Sequence, residues 1–328
     1  MKTLVTGGCG FIGSHMVDRL LLEGHEVLVI DNCSTGRLEN LEHQKGSGLL
    51  KIVQADICNH EEILGYFDDI DWVFHFAALA DIVPSIQNPT GYFKSNVDGT
   101  FSVVQAAKIK GVKRFLYAAS SSCYGIPDTY PTNELTDICP QYPYALTKRL
   151  GEEIVMHWAQ LYKLPAISLR LFNVYGTRSR TSGTYGAVFG VFLGQKLAGK
   201  PFTVVGDGTQ TRDFTYVTDI VDAFYTAAVS DICNEIFNIG SDNTYSVNRL
   251  IELLGGDKVY IPKRPGEPDC TYADISKAKK LLNWKPKISL EEGVKIILAN
   301  IEYWSKAPVW TPDTIKKETS DWFKYLSK

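Results

Sequence analysis

The chain has no pair of cysteines at the C-x-x-C spacing: Cys9, Cys33, Cys58, Cys123, Cys139, Cys233 and Cys270 are odd in number and scattered over 328 residues. That spacing offers neither a zinc site nor a disulfide framework, and the six scattered histidines form no metal-ligand cluster. Nor is there a basic block. Lys plus Arg number 34 against 37 Asp plus Glu, a formal net charge of -3, so the electrostatic footprint of a nucleic-acid partner is missing. No uninterrupted apolar run is long enough to cross a bilayer, and MKTLV leads directly into a glycine-rich loop without a signal-peptide core. No internal repeat, low-complexity tract or disordered linker interrupts the chain. These absences, with 45% apolar residues, leave a globular protein of about two domains, expected in the reducing cytoplasm, with no metal, nucleic-acid or membrane partner.

What is present is alternation. Strand-like runs TLVT, EVLVID, KIVQAD, WVFHFAA and RFLYAAS are separated by helical stretches FIGSHMVDRLLLEG and SNVDGTFSVVQAAKIKG, the pattern of parallel βαβ units. A helix through YALTKRLGEEIVMHWAQLY then leads to the strand AISLRLF. Beyond it the rhythm loosens: TYGAVFGVFLGQKLAG, VTDIVDAFYTAA and EGVKIILANIEYW read as helices and TVVGDG as a strand entering a turn. The expected fold is α/β, a Rossmann-type doubly wound parallel sheet with a smaller, mixed C-terminal domain. Residues 1–172 are expected to bind a dinucleotide, later segments returning to that sheet, and residues 173–328 are expected mainly to bind substrate.

The first strand and helix are joined by Thr6-Gly7-Gly8-Cys9-Gly10-Phe11-Ile12-Gly13. Gly8, Gly10 and Gly13 fit G-x-G-x-x-G, and Gly7, Gly10 and Gly13 fit G-x-x-G-x-x-G. Missing side chains let a pyrophosphate approach backbone N–H groups and the positive end of the helix dipole. Asp31 ends the second strand, where a carboxylate accepts from adenosine ribose hydroxyls and repels a 2′-phosphate. NAD is therefore favoured over NADP; Arg37, which could reach a 2′-phosphate, lies beyond a turn.

Tyr144 and Lys148 are four residues apart, which puts phenol and ammonium on one helix face. An ammonium favours phenolate over phenol, so Tyr144 is a candidate base for a substrate hydroxyl, with Lys148 expected to lower its pKa.

The chain resembles the extended short-chain dehydrogenase/reductase family, in its nucleotide-sugar epimerase and dehydratase branch. The likeness is carried by TGGCGFIGSH, VIDNCSTG, HFAALA, KSNVDGT, SSSCYG, YPYALTK, LRLFNVYG, VVGDGTQTRDFTYVTD and RPGEPDCTYADISKA and spans nearly the whole length. It implies an NAD site built from the glycine turn with Phe11 and Ile12, from Asp31, Asn32, Ser34, Thr35 and Gly36, and from Asp56 and Ile57. Phe76, Ala77, Ala78 and Ala80 of HFAALA, then Asn96, Tyr144, Lys148 and Leu171, complete it. Ala80 stands where some epimerases carry lysine, implying weaker retention of the cofactor.

Ser120, four residues before Tyr124, takes the position of the family's Ser or Thr that holds the reacting hydroxyl. In the 4,6-dehydratases the next two positions carry Asp and Glu; here they are Ser121 and Ser122, hydroxyls that do not serve as carboxylate acid and base at neutral pH. The resemblance therefore implies a 4-epimerase: Tyr144, Ser120 and Lys148 catalytic, hydride leaving carbon 4 of a UDP-sugar and returning to its other face. Asn173, Arg212 and Arg264 are implied at the diphosphate, Glu267 at the ribose, and Thr203, Val205 and Val188 near the base. Arginine forks suit phosphate oxygens. Thr271 leaves room for an N-acetyl group, whereas Arg180 has the spacing of a uronate-binding arginine; glucose/galactose and the N-acetylated pair rank ahead of the uronic acid. A 4-ketoreductase and, last, a non-catalytic dinucleotide-binding module are the alternatives. The Tyr185–Gly194 stretch is expected to line the pocket, and a homodimer through QAAKIKG and EEIVMHWAQLY is implied by resemblance.

Overall fold

A seven-stranded parallel sheet organises the first part of the chain. In spatial order it runs Glu235–Ile239, β6 (Ala166–Leu171), β5 (Arg114–Ser120), β4 (Trp72–His75), β1 (Lys2–Thr6), β2 (Glu26–Asp31), β3 (Leu50–Gln54). The computed structural model describes residues 1–179 and 186–327. β6 is buried along its whole length and β5 through Phe115–Ala119, because helices cover both faces and strands in that setting are apolar without alternation. Edge strand β3 instead exposes Lys51 and Gln54, charge and polarity that discourage further pairing.

On one face α1 (Phe11–Leu22) packs beside the helix Val217–Val229, burying Met16, Val17, Leu20, Ile220 and Phe224. On the other face Gly99–Ile109 packs against Pro143–Tyr162 through Val103, Val104, Val155 and Ala159. A further core, rich in stacked aromatics such as Tyr175 on Phe189, gathers around the helices Val188–Leu197, Val247–Leu254 and Leu290–Ala299. Strand order reverses between β2 and β4 on either side of β1, the place where carboxyl ends of strands leave a crevice for ligands. No described helix is long and apolar enough to cross a membrane.

Several boundaries differ from expectation. KIVQAD and WVFHFAA shorten to strands ending at Gln54 and His75. The long helix through 95–111 begins as a π-turn, Lys94–Asp98, before Gly99–Ile109. Glu235–Ile239 was not expected at all: this short strand owes its place to pairing with β6. The returning helix Ser276–Leu282 buries Ala278 and Leu282 in the same core as α1.

A buried histidine bolts the centre of the sheet. His75 bonds Thr6 Oγ1 at 2.6 Å and Thr100 Oγ1 at 2.9 Å, and burial, then the Lys148 charge, lowers its pKa from 6.5 to about 3. Between those values the unfolded chain binds the proton and the folded one does not, so this contribution to stability is full above the unfolded pKa and is lost as pH falls. The stability advantage over a His75→Gln variant is expected to shrink by about 2 kcal/mol between about pH 6.5 and 5, measured by urea unfolding. A constant difference would contradict the assignment.

Candidate active site

The glycine turn opens a cavity of about 660 Å³ that continues along the carboxyl edge of the sheet to the second core. Gly7 has φ +71° and its N–H donates to Ile30 O; Gly10 caps α1 and donates to Gly7 O. A Cβ at Gly7 would lie 2.6 Å from Ala77 N, and one at Gly13 2.2 Å from Gly7 O. Of the two glycine patterns, the structure lines the cavity with Gly7, Gly10 and Gly13, together with Phe11 and Ile12. Gly8 serves packing, since its Cβ would meet Val29 at 2.8 Å.

Asp31 closes this end. Its carboxylate accepts from Cys9 N at 2.9 Å and Cys33 N at 2.8 Å, and burial raises its pKa while those N–H groups draw it back. Gly36 lies so close that a Cβ would stand 2.8 Å from Asp31 Oδ2. Asn32, Ser34, Thr35, Ile57, Phe76, Ala77, Ala78, Ala80 and Leu171 share the wall. A bare turn at a helix start and a carboxylate one strand away fit the pyrophosphate and ribose of NAD.

Two expected contacts are not on that wall. Asn96 donates to Leu79 O and Thr147 Oγ1 and accepts from Leu79 N, which commits its amide to buckling the 77–80 loop onto the helix Pro143–Tyr162. Asp56 accepts from Cys58 N and Asn32 Nδ2, so it shapes the loop behind Asn32.

Tyr144 and Lys148 rise from the first turns of Pro143–Tyr162, a helix started by Pro143 with its fixed φ. Both line the cavity with Ser120, Ser121 and Ser122. Burial raises the Tyr144 pKa, and the neighbouring Ser120 hydroxyl draws it down. The Lys148 ammonium stands 4.3 Å over the Tyr117 ring, and burial lowers its own pKa to about 7 against the pull of Glu152. Spacing put the two groups on one face; the neighbouring strand β5 supplied the ring that holds the cation.

At the far end, Arg212 donates to Glu267 Oε1 at 2.8 Å and Arg264 lies 3.7 Å from Oε2. Glu267 Oε2 is buried without a hydrogen-bond partner, an acceptor suited to a hydroxyl donor. Thr203, Val205 and Val188 line the same end, though the Thr203 hydroxyl already accepts from Gln195. Thr271 donates to Asn173 Oδ1 at 2.6 Å and accepts from Asp213 N, so its hydroxyl fixes the Asn173 amide. Arg180 and Tyr185 lie outside the described residues; the helix that Tyr185 was expected to join begins at Val188. The cavity also takes in Tyr142, Gln210, Trp310 and Trp322, none of which sequence reasoning assigned. No group of described residues could hold a metal ion.

A glycine-turn groove that shares one cavity with a serine, tyrosine and lysine defines a dinucleotide-dependent enzyme of the hydride-transfer type. The comparisons agree: residues 3–240 match the NAD dependent epimerase/dehydratase family, and the chain belongs to that family. It is 35% identical over 303 residues to a UDP-glucose 4-epimerase of Mycolicibacterium smegmatis, covering 90% of this chain and 96% of that one. Two solved structures superpose closely. The UDP-N-acetylglucosamine 4-epimerase of Methanobrevibacter ruminantium has TM-score 0.85 and 33% identity over 91% of this chain and 98% of its own. The UDP-glucuronic acid 4-epimerase of Bacillus cereus, in complex with UDP-glucuronic acid and NAD, has TM-score 0.85 and 33% identity over 92% and 99%.

Proposed function

We propose that the protein is an NAD-dependent 4-epimerase of a UDP-hexose, interconverting the glucose/galactose or N-acetylglucosamine/N-acetylgalactosamine forms. The observation that carries it is the convergence of Ser120, Tyr144 and Lys148 on the glycine-turn cavity, with serines rather than carboxylates at 121 and 122. The bound nicotinamide supplies the acceptor and donor of the carbon 4 hydride. Tyr144 takes the proton of the 4-hydroxyl and later returns one, and Ser120 holds that oxygen. Lys148 contributes positive charge beside the base.

Inversion requires the sugar to turn over between the two transfers, so binding has to be strong at the nucleotide and loose at the sugar. The charged grip of Arg212, Arg264 and Glu267 lies at the end of the cavity away from the glycine turn, while the wall shared with Tyr144 carries the neutral hydroxyls of Ser120, Ser121 and Ser122, which supports this division. In this reading residues 1–172 form the cofactor half and 173–328 mainly the nucleotide-sugar half. A homodimer in the cytoplasm belongs to it too: the packed helices Gly99–Ile109 and Pro143–Tyr162 leave Phe101, Ile109, Leu161 and Tyr162 exposed.

Purified protein incubated separately with UDP-glucose, UDP-N-acetylglucosamine and UDP-glucuronate, with products resolved by NMR, is expected to give a 4-epimer of one of the first two without net NADH. Turnover of the glucuronate alone would move the substrate to the uronic acid. No turnover of any of the three would reject the UDP-sugar assignment.

A further inference from the structure

Trp322 is the cavity residue that comes from farthest along the chain. It sits on the helix Ser320–Leu326, is 3% exposed, and lines the cavity together with Arg264 and Glu267. Two contacts tie it to the loop that carries those residues. The Arg264 guanidinium carbon stands 5.3 Å from the centroid of the Trp322 ring, within the range of cation–π attraction. The Trp322 indole N–H donates to Pro265 O at 2.7 Å. The same helix reaches the loop a third time at Gly266, where a Cβ would stand 3.6 Å from Leu326 Cδ2.

The ring also meets the first half of the chain. Tyr142, the N-cap of the catalytic helix Pro143–Tyr162, lies with its ring centroid 6.5 Å from that of Trp322. The helix Ser320–Leu326 packs against the helix Ile82–Gln87 as well. Trp322 is therefore braced by elements of the cofactor half while it holds a loop of the nucleotide half.

An arginine that binds a diphosphate has to be ordered, and ordering a long side chain is one of the costs of association. Arg264 is already confined: its side chain is 11% exposed, with Nη1 3.7 Å from Glu267 Oε2. An aromatic face attracts a guanidinium through the ring quadrupole without taking up its N–H donors, and those donors are what a phosphate recognises.

We propose that Trp322 is a positioning residue for the nucleotide: it presets Arg264 and the loop around Pro265 and Gly266 for the diphosphate. The C-terminal helix then governs affinity for the nucleotide sugar without entering the chemistry. The proposal rests on the diphosphate role of Arg264 in the proposed function.

The test is calorimetric binding of UDP and of uridine to the NAD-saturated protein, with steady-state kinetics beside it. Trp322→Leu removes the ring and the N–H and keeps an apolar side chain. It is expected to weaken UDP about five- to tenfold, the weight of a desolvated cation–π contact. KM for the nucleotide sugar should rise in step, with kcat and NAD affinity within about twofold. Uridine, which lacks the diphosphate, is expected to bind almost as it does to wild type. Trp322→Phe keeps a ring and is expected to lose about threefold. Beside Arg264→Ala, Trp322→Leu is expected to add little, because both changes break one interaction. An unmoved UDP affinity in Trp322→Leu, an equal loss for uridine, or full additivity with Arg264→Ala would overturn the proposal. If Trp322→Leu failed to fold, Trp322→Phe would decide, an unchanged UDP affinity overturning the proposal. An Arg264→Ala protein that binds UDP as wild type does would overturn the diphosphate role of Arg264 and the proposal with it. A weakened Arg264→Ala beside an unmoved Trp322→Leu would overturn the proposal alone.

Discussion

Replacing Tyr144 by phenylalanine is expected to lower kcat for 4-epimerisation about 10²–10⁴-fold, the usual weight of a positioned acid–base group. The change deletes one oxygen from a ring already packed edge-on against Tyr92, so the helix and the glycine cradle should persist. Binding of NAD and of nucleotide sugar, followed by calorimetry, is expected to stay within a few-fold of wild type, because the glycine turn and Asp31 at one end and Arg212, Arg264 and Glu267 at the other, which are proposed to carry most of the binding, are untouched. A Tyr144→Phe protein retaining a tenth of wild-type turnover would show that another group takes the proton.

The largest effect on stability is expected from Glu152→Ala. Glu152 is 1% exposed and accepts from Ser168, from Arg149 and from Nε and Nη2 of Arg170, itself 3% exposed. Burial alone would raise its pKa, but the hydrogen bonds and charge of Arg170 hold it below the ordinary carboxylate value. Its contribution is therefore present above the unfolded pKa and lost as pH falls through the folded one. Removing one partner leaves the other charge buried and uncompensated, at a cost of about 3–5 kcal/mol. Urea unfolding at neutral pH measures it. The double replacement Glu152→Leu with Arg170→Met is expected to recover most of the loss, since an apolar pair carries no desolvation cost. A single-variant loss below about 1 kcal/mol would mean that water reaches the pair.

Much of the site was legible because its parts are local. Gly7, Gly10 and Gly13 lie within one turn between strand and helix, and Asp31 ends the adjacent strand, so spacing placed all four. Tyr144 and Lys148 share a face because a helix repeats every 3.6 residues. What escaped depends on contacts between distant segments or on broken periodicity. Tyr142 is two residues from Tyr144, a separation that does not share a face in a helix, and it joins the site because the N-cap is extended. Trp322 arrives from a tail whose aromatic pattern carries no motif. The strand Glu235–Ile239 is short and half-buried at its start. It exists because β6 offers it a partner, and propensity alone does not show that. Asn96 was placed at the cofactor by resemblance, whereas the π-turn at Lys94–Asp98 directs its amide to Leu79 and Thr147.

The central claim is that one hydride leaves carbon 4 and returns to the same carbon. UDP-hexose carrying deuterium at carbon 4, epimerised in ordinary water and followed by NMR, tests it most directly. The account predicts a 4-epimer that keeps its deuterium at carbon 4, with no solvent hydrogen incorporated there and no net NADH. Solvent hydrogen at carbon 4, or a product that has lost its 6-hydroxyl, would contradict it.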